Sequence, residues 1–246
     1  TLAKLTKNPD YRLFDILYNS LPDTHKQILT TQYRMIENIG NLISKVFYRG
    51  IIDTGCNDDE KRHGLSRYVG KSIVWFDTSA NKKKSQKRTK GGSYINEEEK
   101  RIILEILDDL KSTGELKGLD IGIITGYSGQ KELLRKSIKA TGLDKIASKI
   151  DINTLDAFQG RENDIIIYST VRTRDSIGFQ KEKERVNVAF SRAKKLLIVC
   201  GDKNFFYNFD DQDNKFVEII DYISEEEECE IIQCDGGKLF ERESNS

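Results

Sequence analysis

Two arginines in the stretch Asp151–Lys195 have spacing that could do chemistry. Arg185 and Arg192 lie seven residues apart in KEKERVNVAFSRAKK, which on a helix puts them on nearly the same side, about 10 Å apart along the axis. Val186, Ala189, Phe190 and Ala193 form an apolar stripe beside them. A guanidinium offers a planar fork of donors and keeps its charge, so two fixed ones suit a polyphosphate. The alternative is a surface helix with solvated arginines. Far upstream, Tyr33 and Arg34 in ILTTQYRM precede apolar residues at helical spacing, Met35, Ile39, Leu42, Ile43, Val46 and Phe47, up to a stop at Gly50. They therefore sit at a helix mouth, where backbone N–H groups favour anions.

The elements that must hold these residues alternate. Asn96 with Glu99 reads as a capping box opening a helix with Ile102, Ile103, Ile106, Leu107 and Leu110 inside. Leu119–Thr125 reads as a strand, and GYSGQ as a turn into a helix capped by Ser128. Thr125 and Tyr127 fall at that strand's C-terminal end, where open parallel sheets place their ligands. Ile150–Leu155 starts another unit. Asp164–Tyr168 and Leu196–Cys200 are continuous apolar runs, as in strands buried on both faces. Residues 212–223 read as a last helix, Cys229–Cys234 as a last strand, and Asp235–Ser246 as a loose tail. In the first 30 residues Leu13, Ile16 and Leu17 give a short helical stripe broken at Leu21–Pro22. The pattern predicts an α/β doubly wound domain, an open, mostly parallel sheet with helices on both faces.

Composition removes several classes. Lys+Arg and Asp+Glu both count 40 in 246 residues, so net charge gives no argument for nucleic acid and any basic surface must be local. Cys56, Cys200, Cys229 and Cys234 contain no C-x-x-C pair, a poor metal set that fits reduced thiols and a cytoplasmic setting. No apolar run approaches the ~18 residues of a membrane span, and the first residues are no signal peptide. GLSRYVGKS at 64–72 imitates a phosphate loop but has five residues between its glycines and leads into a strand, SIVWFD, so Lys71 belongs to a loop. Asp58–Asp59–Glu60 has no strand leading into it and is no magnesium motif. NKKKSQKRTKGG at 81–92, within an insertion over 78–93, is either a solvated loop or a sequence-independent phosphate contact.

Taken in order, TTQYRM, GGSYIN, IGIITGYSGQ, INTLDAFQGREND with IIIYSTVRTR, IGFQ and RVNVAFSRAKKLLIVCGD resemble the second RecA-like domain of superfamily 1 helicases. The group is the one that includes the nonsense-mediated-decay RNA helicase and its DNA-acting relatives. The resemblance covers roughly residues 27–205. It implies a RecA-like P-loop NTPase fold lacking its own P-loop over 27–234, preceded by a connecting segment, 1–26, and followed by a tail, 235–246. It implies that Tyr33 stacks on adenine, with Gln32 in the same ATP-binding string. Arg34 and Arg192 reach the γ-phosphate, Gly160 approaches the phosphates through its backbone, Glu162 binds the ribose, and Gln159 helps hold that turn. Arg185 becomes a supporting residue at the ATP site. Thr154, and with it Thr125 and Tyr127, touches the nucleic-acid backbone.

The sequence departs from the family at Ile36–Glu37, where His-Pro is usual, at Gly126, where Pro is usual, and at Ser191, where Thr is frequent. Paired acids and a valid phosphate loop are absent, and the family carries these, with the Mg2+ ligands, in its first RecA-like domain. The chain begins at Thr1 and is read as the C-terminal half of the motor, a partner to that first domain and to single-stranded DNA or RNA. ATP and Mg2+ are the implied cofactors, and the half alone is expected to be inactive. The rival reading is a nucleotide-gated nucleic-acid-binding or regulatory module that does not unwind.

Overall fold

Strands appear where branched apolar residues run continuously, and their order was invisible in the sequence. The computed structural model describes residues 17–240 apart from 19, 28, 84, 146–148 and 159. The chain divides into two units, Thr1–Thr31 and Gln32–Ser246. In the first, the described residues hold a 3-10 turn at Asp23–His25; Leu13 and Ile16 lie outside the described residues.

In the second unit six strands make one sheet: β1 (Ile73–Asp77), β2 (Asp120–Thr125), β3 (Lys149–Thr154), β4 (Asn163–Ser169), β5 (Ala193–Gly201) and β6 (Cys229–Gln233). Their order is β6-β1-β5-β4-β2-β3, and every neighbouring pair is parallel. Helices α1 (Glu37–Tyr48), α2 (Asp58–Lys61), α3 (Glu97–Ser112), α4 (Ser128–Thr141), α5 (Lys183–Phe190), α6 (Lys203–Tyr207) and α7 (Phe216–Glu225) connect them. Strand residues alternate between two cores. Trp75, Tyr168 and Val199 face α1, α5 and α7. Phe76, Ile167 and Ile198 face α3 and α4. This is the doubly wound α/β sheet expected, with all six strands parallel.

Several local readings shift. The first long helix begins at Glu37, so Met35 precedes it, and it ends in a left-handed Arg49 before Gly50. Helix α7 starts at Phe216, not 212. The tail is docked as far as it is described: Phe240 stacks edge-on to Phe76 at 6.3 Å under the Arg67 guanidinium, and the Leu239 N–H donates to Glu105. Lys71 lies in the loop before β1 and donates to the Glu227 and Cys229 carbonyls.

The direction of the strands fixes what each site residue can meet. Thr125 pairs with Thr154 on one side and Ser169 on the other, so three hydroxyl residues share the C-terminal edge. Asn163 pairs with Ala193, so Glu162 and Arg192, each one residue earlier, share the N-terminal edge. Residues 155–162 must run from one edge to the other. The Leu155 N–H donates to the Thr125 carbonyl at 3.1 Å, and Phe158 is fully buried over β2. Gly122 makes that passage possible: a Cβ there would stand 2.6 Å from Phe158 and Ile166 and 2.7 Å from Asn163. Gly122→Ala therefore overpacks the crossover and lowers the unfolding free energy by about 1–3 kcal/mol, and Gly122→Val by more. Urea unfolding checks this, and unchanged midpoints would refute the close passage.

Candidate functional site

At the N-terminal edge Arg34, Glu162 and Arg192, from distant parts of the chain, meet. The turn before α1 is built by Gln32, whose side-chain oxygen accepts from the Arg34 and Met35 N–H groups at 2.8 Å while its amide donates to the Met35 carbonyl and to Thr54. Its amide is thus committed to holding Tyr33 and Arg34 in place. Tyr33 is 69% exposed, an aromatic residue left largely in solvent. The Arg34 guanidinium donates to Glu162 at 2.7 Å and to the Ser191 carbonyl at 3.3 Å. That bond holds the Glu162 carboxyl below its usual range. Gly160 takes φ +84° in an open turn, a conformation that costs glycine least. Gln159 lies outside the described residues.

Arg192 is half-buried, its Nε donating to the Val188 carbonyl at 3.1 Å. Burial first, and then the neighbouring Arg34, pull its pKa down. Two guanidinium groups share a single adjacent carboxylate, and Lys61 and Lys194 add positive potential at Glu162. An anion entering here relieves the mutual repulsion of the two arginines. Lys61 also donates to the Tyr33 and Arg34 carbonyls at 3.4 and 3.2 Å, a support that sequence spacing gave no sign of. The departure at Ile36–Glu37 does not loosen the turn. The Ile36 N–H donates to the Lys194 carbonyl and the Glu37 N–H, which a proline would lack, to Asp58.

Arg185 is not brought into this cluster. Helix α5 stops at Phe190, so Arg192 lies beyond it and the two arginines do not share a helix. The helix runs back from the C-terminal edge to the N-terminal edge, which puts Arg185 at its far end. There it pairs with Glu182 at 2.8 Å and Asp156 at 3.7 Å, and covers the Phe179 ring at 5.1 Å.

At the C-terminal edge the side chains of Thr125 and Tyr127 are 0% and 4% exposed. The Thr125 hydroxyl accepts from the Tyr127 N–H, and the Tyr127 ring packs between Tyr94 and Phe179. As placed, neither presents its side chain to a ligand, whereas Thr154, half-buried, ends β3 at the same edge. Helix α4 takes no side-chain cap from Ser128. The Gly129 N–H donates instead to Ser93 at 3.0 Å, from a hairpin pairing Lys87–Arg88 with Tyr94–Ile95.

Beneath this edge lies a buried acid. Asn96 caps α3 as expected, accepting from the Glu98 and Glu99 N–H groups. The Glu99 carboxyl group, however, reaches across the domain to Ser169 at 2.6 Å, Thr170 at 3.1 Å and the Val171 N–H, which donates to it at 2.9 Å. Asn96 in turn donates to the Val171 carbonyl, and Gln130 bridges Asn96 and Ser169. Val171 takes φ +68°, a strained setting for a β-branched residue. Burial pushes Glu99 up to about 8 against the pull of these donors. A buried carboxyl at a capping position carried no sequence signal of this reach. Among the described residues, no group of three or more His, Cys, Asp or Glu is placed to hold a metal ion.

Comparison with known proteins places the chain in a family. A family profile described as an AAA domain matches residues 10–204. Helicase SEN1 of Saccharomyces cerevisiae is 36% identical over 71% of this chain and 8% of its own length. An uncharacterized ATP-dependent helicase of Methanocaldococcus jannaschii is 32% identical over 93% of this chain and 34% of its own. A homologue of regulator of nonsense transcripts 1 from Neurospora crassa is 32% identical over 71% of this chain and 16% of its own. The chain thus spans between 8% and 34% of the length of these relatives.

Glu99 makes the fold's stability depend on pH. Its folded pKa, about 8, lies above the ordinary 4.5, so the native state holds a proton that the unfolded chain releases. Its contribution is full below the ordinary value and is lost as pH rises toward the folded one. Glu99→Gln should flatten that decline between about pH 5 and 8, read by urea unfolding across the range. A slope equal to that of the wild type would count against a buried neutral carboxyl.

Proposed function

The chain belongs to the AAA domain family, as the C-terminal helicase domain of a superfamily 1 helicase of the nonsense-mediated-decay group, and from that we propose that it supplies half of an ATP cleft in a helicase or translocase. One observation carries the reading: Arg34, Glu162 and Arg192 converge at one sheet edge, with two guanidinium groups around a single carboxylate and Tyr33 next to Arg34 in the chain. That donor set fits a nucleoside triphosphate. Tyr33 offers an exposed face for adenine stacking and Glu162 an acceptor for ribose hydroxyls. Gly160 leaves its backbone open to the phosphates, and Gln32 orients the turn that carries Arg34.

Arg192 is the proposed arginine finger. Its guanidinium places fixed charge where a transferring γ-phosphoryl builds negative charge, an effect worth about 10³–10⁵ in rate. A first RecA-like domain supplies the phosphate loop and Mg2+ ligands, so that hydrolysis requires the cleft to close and turnover is coupled to movement along a strand. Thr154 at the opposite edge contacts the single-stranded nucleic acid, and the crossover 155–162 links the two edges. On this reading the chain alone turns over no ATP. In the full-length protein Arg192→Ala should reduce ATP turnover by at least about a thousandfold while leaving single-strand binding near normal. Steady-state hydrolysis and a strand-binding titration check this, and unchanged turnover would remove Arg192 from the role.

A further inference from the structure

Helix α2 carries the acidic run Asp58–Asp59–Glu60, and no step of the ATP cleft uses it. The segment around it touches the turn that carries Arg34. The Gln32 amide donates to the Thr54 hydroxyl at 2.8 Å, and the Gly55 N–H donates to the Gln32 carbonyl at 2.8 Å. The Cys56 thiol donates to the Met35 carbonyl at 3.2 Å. Asn57 caps α2, accepting from the Asp59 N–H at 3.1 Å, and Asp58 accepts from the Glu37 N–H at 2.9 Å. The last bond needs an N–H that proline lacks, so it belongs to the departure at Ile36–Glu37. Gly40 lets the segment lie this close, since a Cβ there would overlap the Thr54 hydroxyl.

Arg34 is flanked by two peptide groups, and each is held at both ends. In the Tyr33–Arg34 peptide the N–H donates to the Gln32 side-chain oxygen at 2.8 Å and the carbonyl accepts from the Lys61 ammonium at 3.4 Å. In the Arg34–Met35 peptide the N–H donates to the same oxygen at 2.8 Å and the carbonyl accepts from Lys61 at 3.2 Å. A residue has two soft backbone dihedrals, and those of Arg34 lie between these two planes. Gln32 fixes one edge of both planes and Lys61 the other. An ammonium suits the second task, because it has three donors and no acceptor and can serve two carbonyls at once. Lys61 is half-buried at the end of α2, and its charge reaches Glu162. Arg62, the next residue, instead pairs with Asp59 at 3.2 Å, both side chains being largely exposed.

Freeing one edge of both peptides lets them rotate, and a long side chain magnifies a small backbone rotation at its tip. The Arg34 guanidinium is seated on Glu162 and the Ser191 carbonyl, so its reach depends on where the turn holds its Cα. We propose that Lys61 is a positioning residue for ATP hydrolysis, clamping with Gln32 the two peptides that flank Arg34 so that its guanidinium meets the γ-phosphate. This rests on the ATP-cleft reading above and extends it to a residue outside the motif strings. Helix α2 is then a brace: Asp58 ties it to the start of α1, and Lys61 ties it to the turn before that start.

The test uses the full-length protein and reads single-turnover ATP hydrolysis, with single-strand binding alongside. Arg34→Ala is the reference and should slow hydrolysis by about a hundredfold or more, as loss of a charge-stabilising donor does. Lys61→Met should slow it by about tenfold or more, as a misplaced group does. Lys61→Arg, whose fork of donors can also serve two carbonyls, should recover most of that loss. In the Arg34→Ala background Lys61→Met should cost less than about twofold, because nothing remains to be positioned. Arg62→Ala should stay within about twofold of the wild type. Every variant should bind a single strand as the wild type does. Wild-type hydrolysis in Lys61→Met beside a slowed Arg34→Ala overturns the clamp and leaves the ATP-cleft reading standing. An equal loss in both backgrounds makes Lys61 a structural residue and overturns its positioning role. Wild-type hydrolysis in Arg34→Ala overturns the cleft reading and the clamp with it.

Discussion

One buried carboxyl group ties together segments that the chain keeps far apart. Glu99 stands at the start of α3, yet its oxygens are satisfied by Ser169, Thr170 and Val171 at the end of β4. Through Asn96 and Gln130 the same network grips α4, and Gln180 reaches in to the Thr170 carbonyl. Donors this close to an acid in a dry interior leave it little freedom to move. The GGSYIN, GYSGQ, STVR and IGFQ strings are therefore neighbours of one another before they are neighbours of any ligand. The left-handed Val171 is held from both sides, its N–H by Glu99 and its carbonyl by Asn96. That fixes the course of the following loop, where the buried Arg172 is locked onto the Ser176 and Arg174 carbonyls.

The parallel sheet then separates two chemistries. Arg34, Arg192, Lys61 and Lys194 surround Glu162 where β4 and β5 begin, and the hydroxyl residues Thr125, Thr154 and Ser169 stand where β2, β3 and β4 end. The crossover that leaves β3 at Leu155 and reaches β4 through Glu162 links the two, and its Phe158 is pressed against β2 at Gly122, which has no side chain. Strand direction, more than any individual motif, decides that Glu162 meets Arg34 while Thr154 lies beside Thr125.

The fold was largely legible in the sequence because strands buried on both faces are written as unbroken apolar runs, as in Asp164–Tyr168 and Leu196–Cys200. The convergence of Arg34 with Glu162, 128 residues away, could be read only through family resemblance, since no local pattern encodes a meeting set by strand order. Arg185 was misplaced because a seven-residue spacing implies one face only while the helix lasts, and α5 ends two residues before Arg192. Thr125 and Tyr127 were placed at the correct edge, but burial is a property of what packs above them. The hairpin with Tyr94 and the loop bearing Phe179 both come from other parts of the chain. Glu99 was visible as a cap and invisible as a hub, because a capping box looks the same whether its acid turns back or reaches outward.

The Arg34–Glu162 pair has a consequence for conformational entropy. A long arginine side chain loses freedom when it is immobilised, at about 0.5–1.5 kcal/mol for a flexible side chain ordered on binding. Here Glu162 and the Ser191 carbonyl already hold the guanidinium, on a backbone turn fixed by Gln32 and Lys61. Because both partners are partly exposed, the bond between them is weak enough to give up. An arriving anion thus exchanges one acceptor for another at a side chain whose order is already in place.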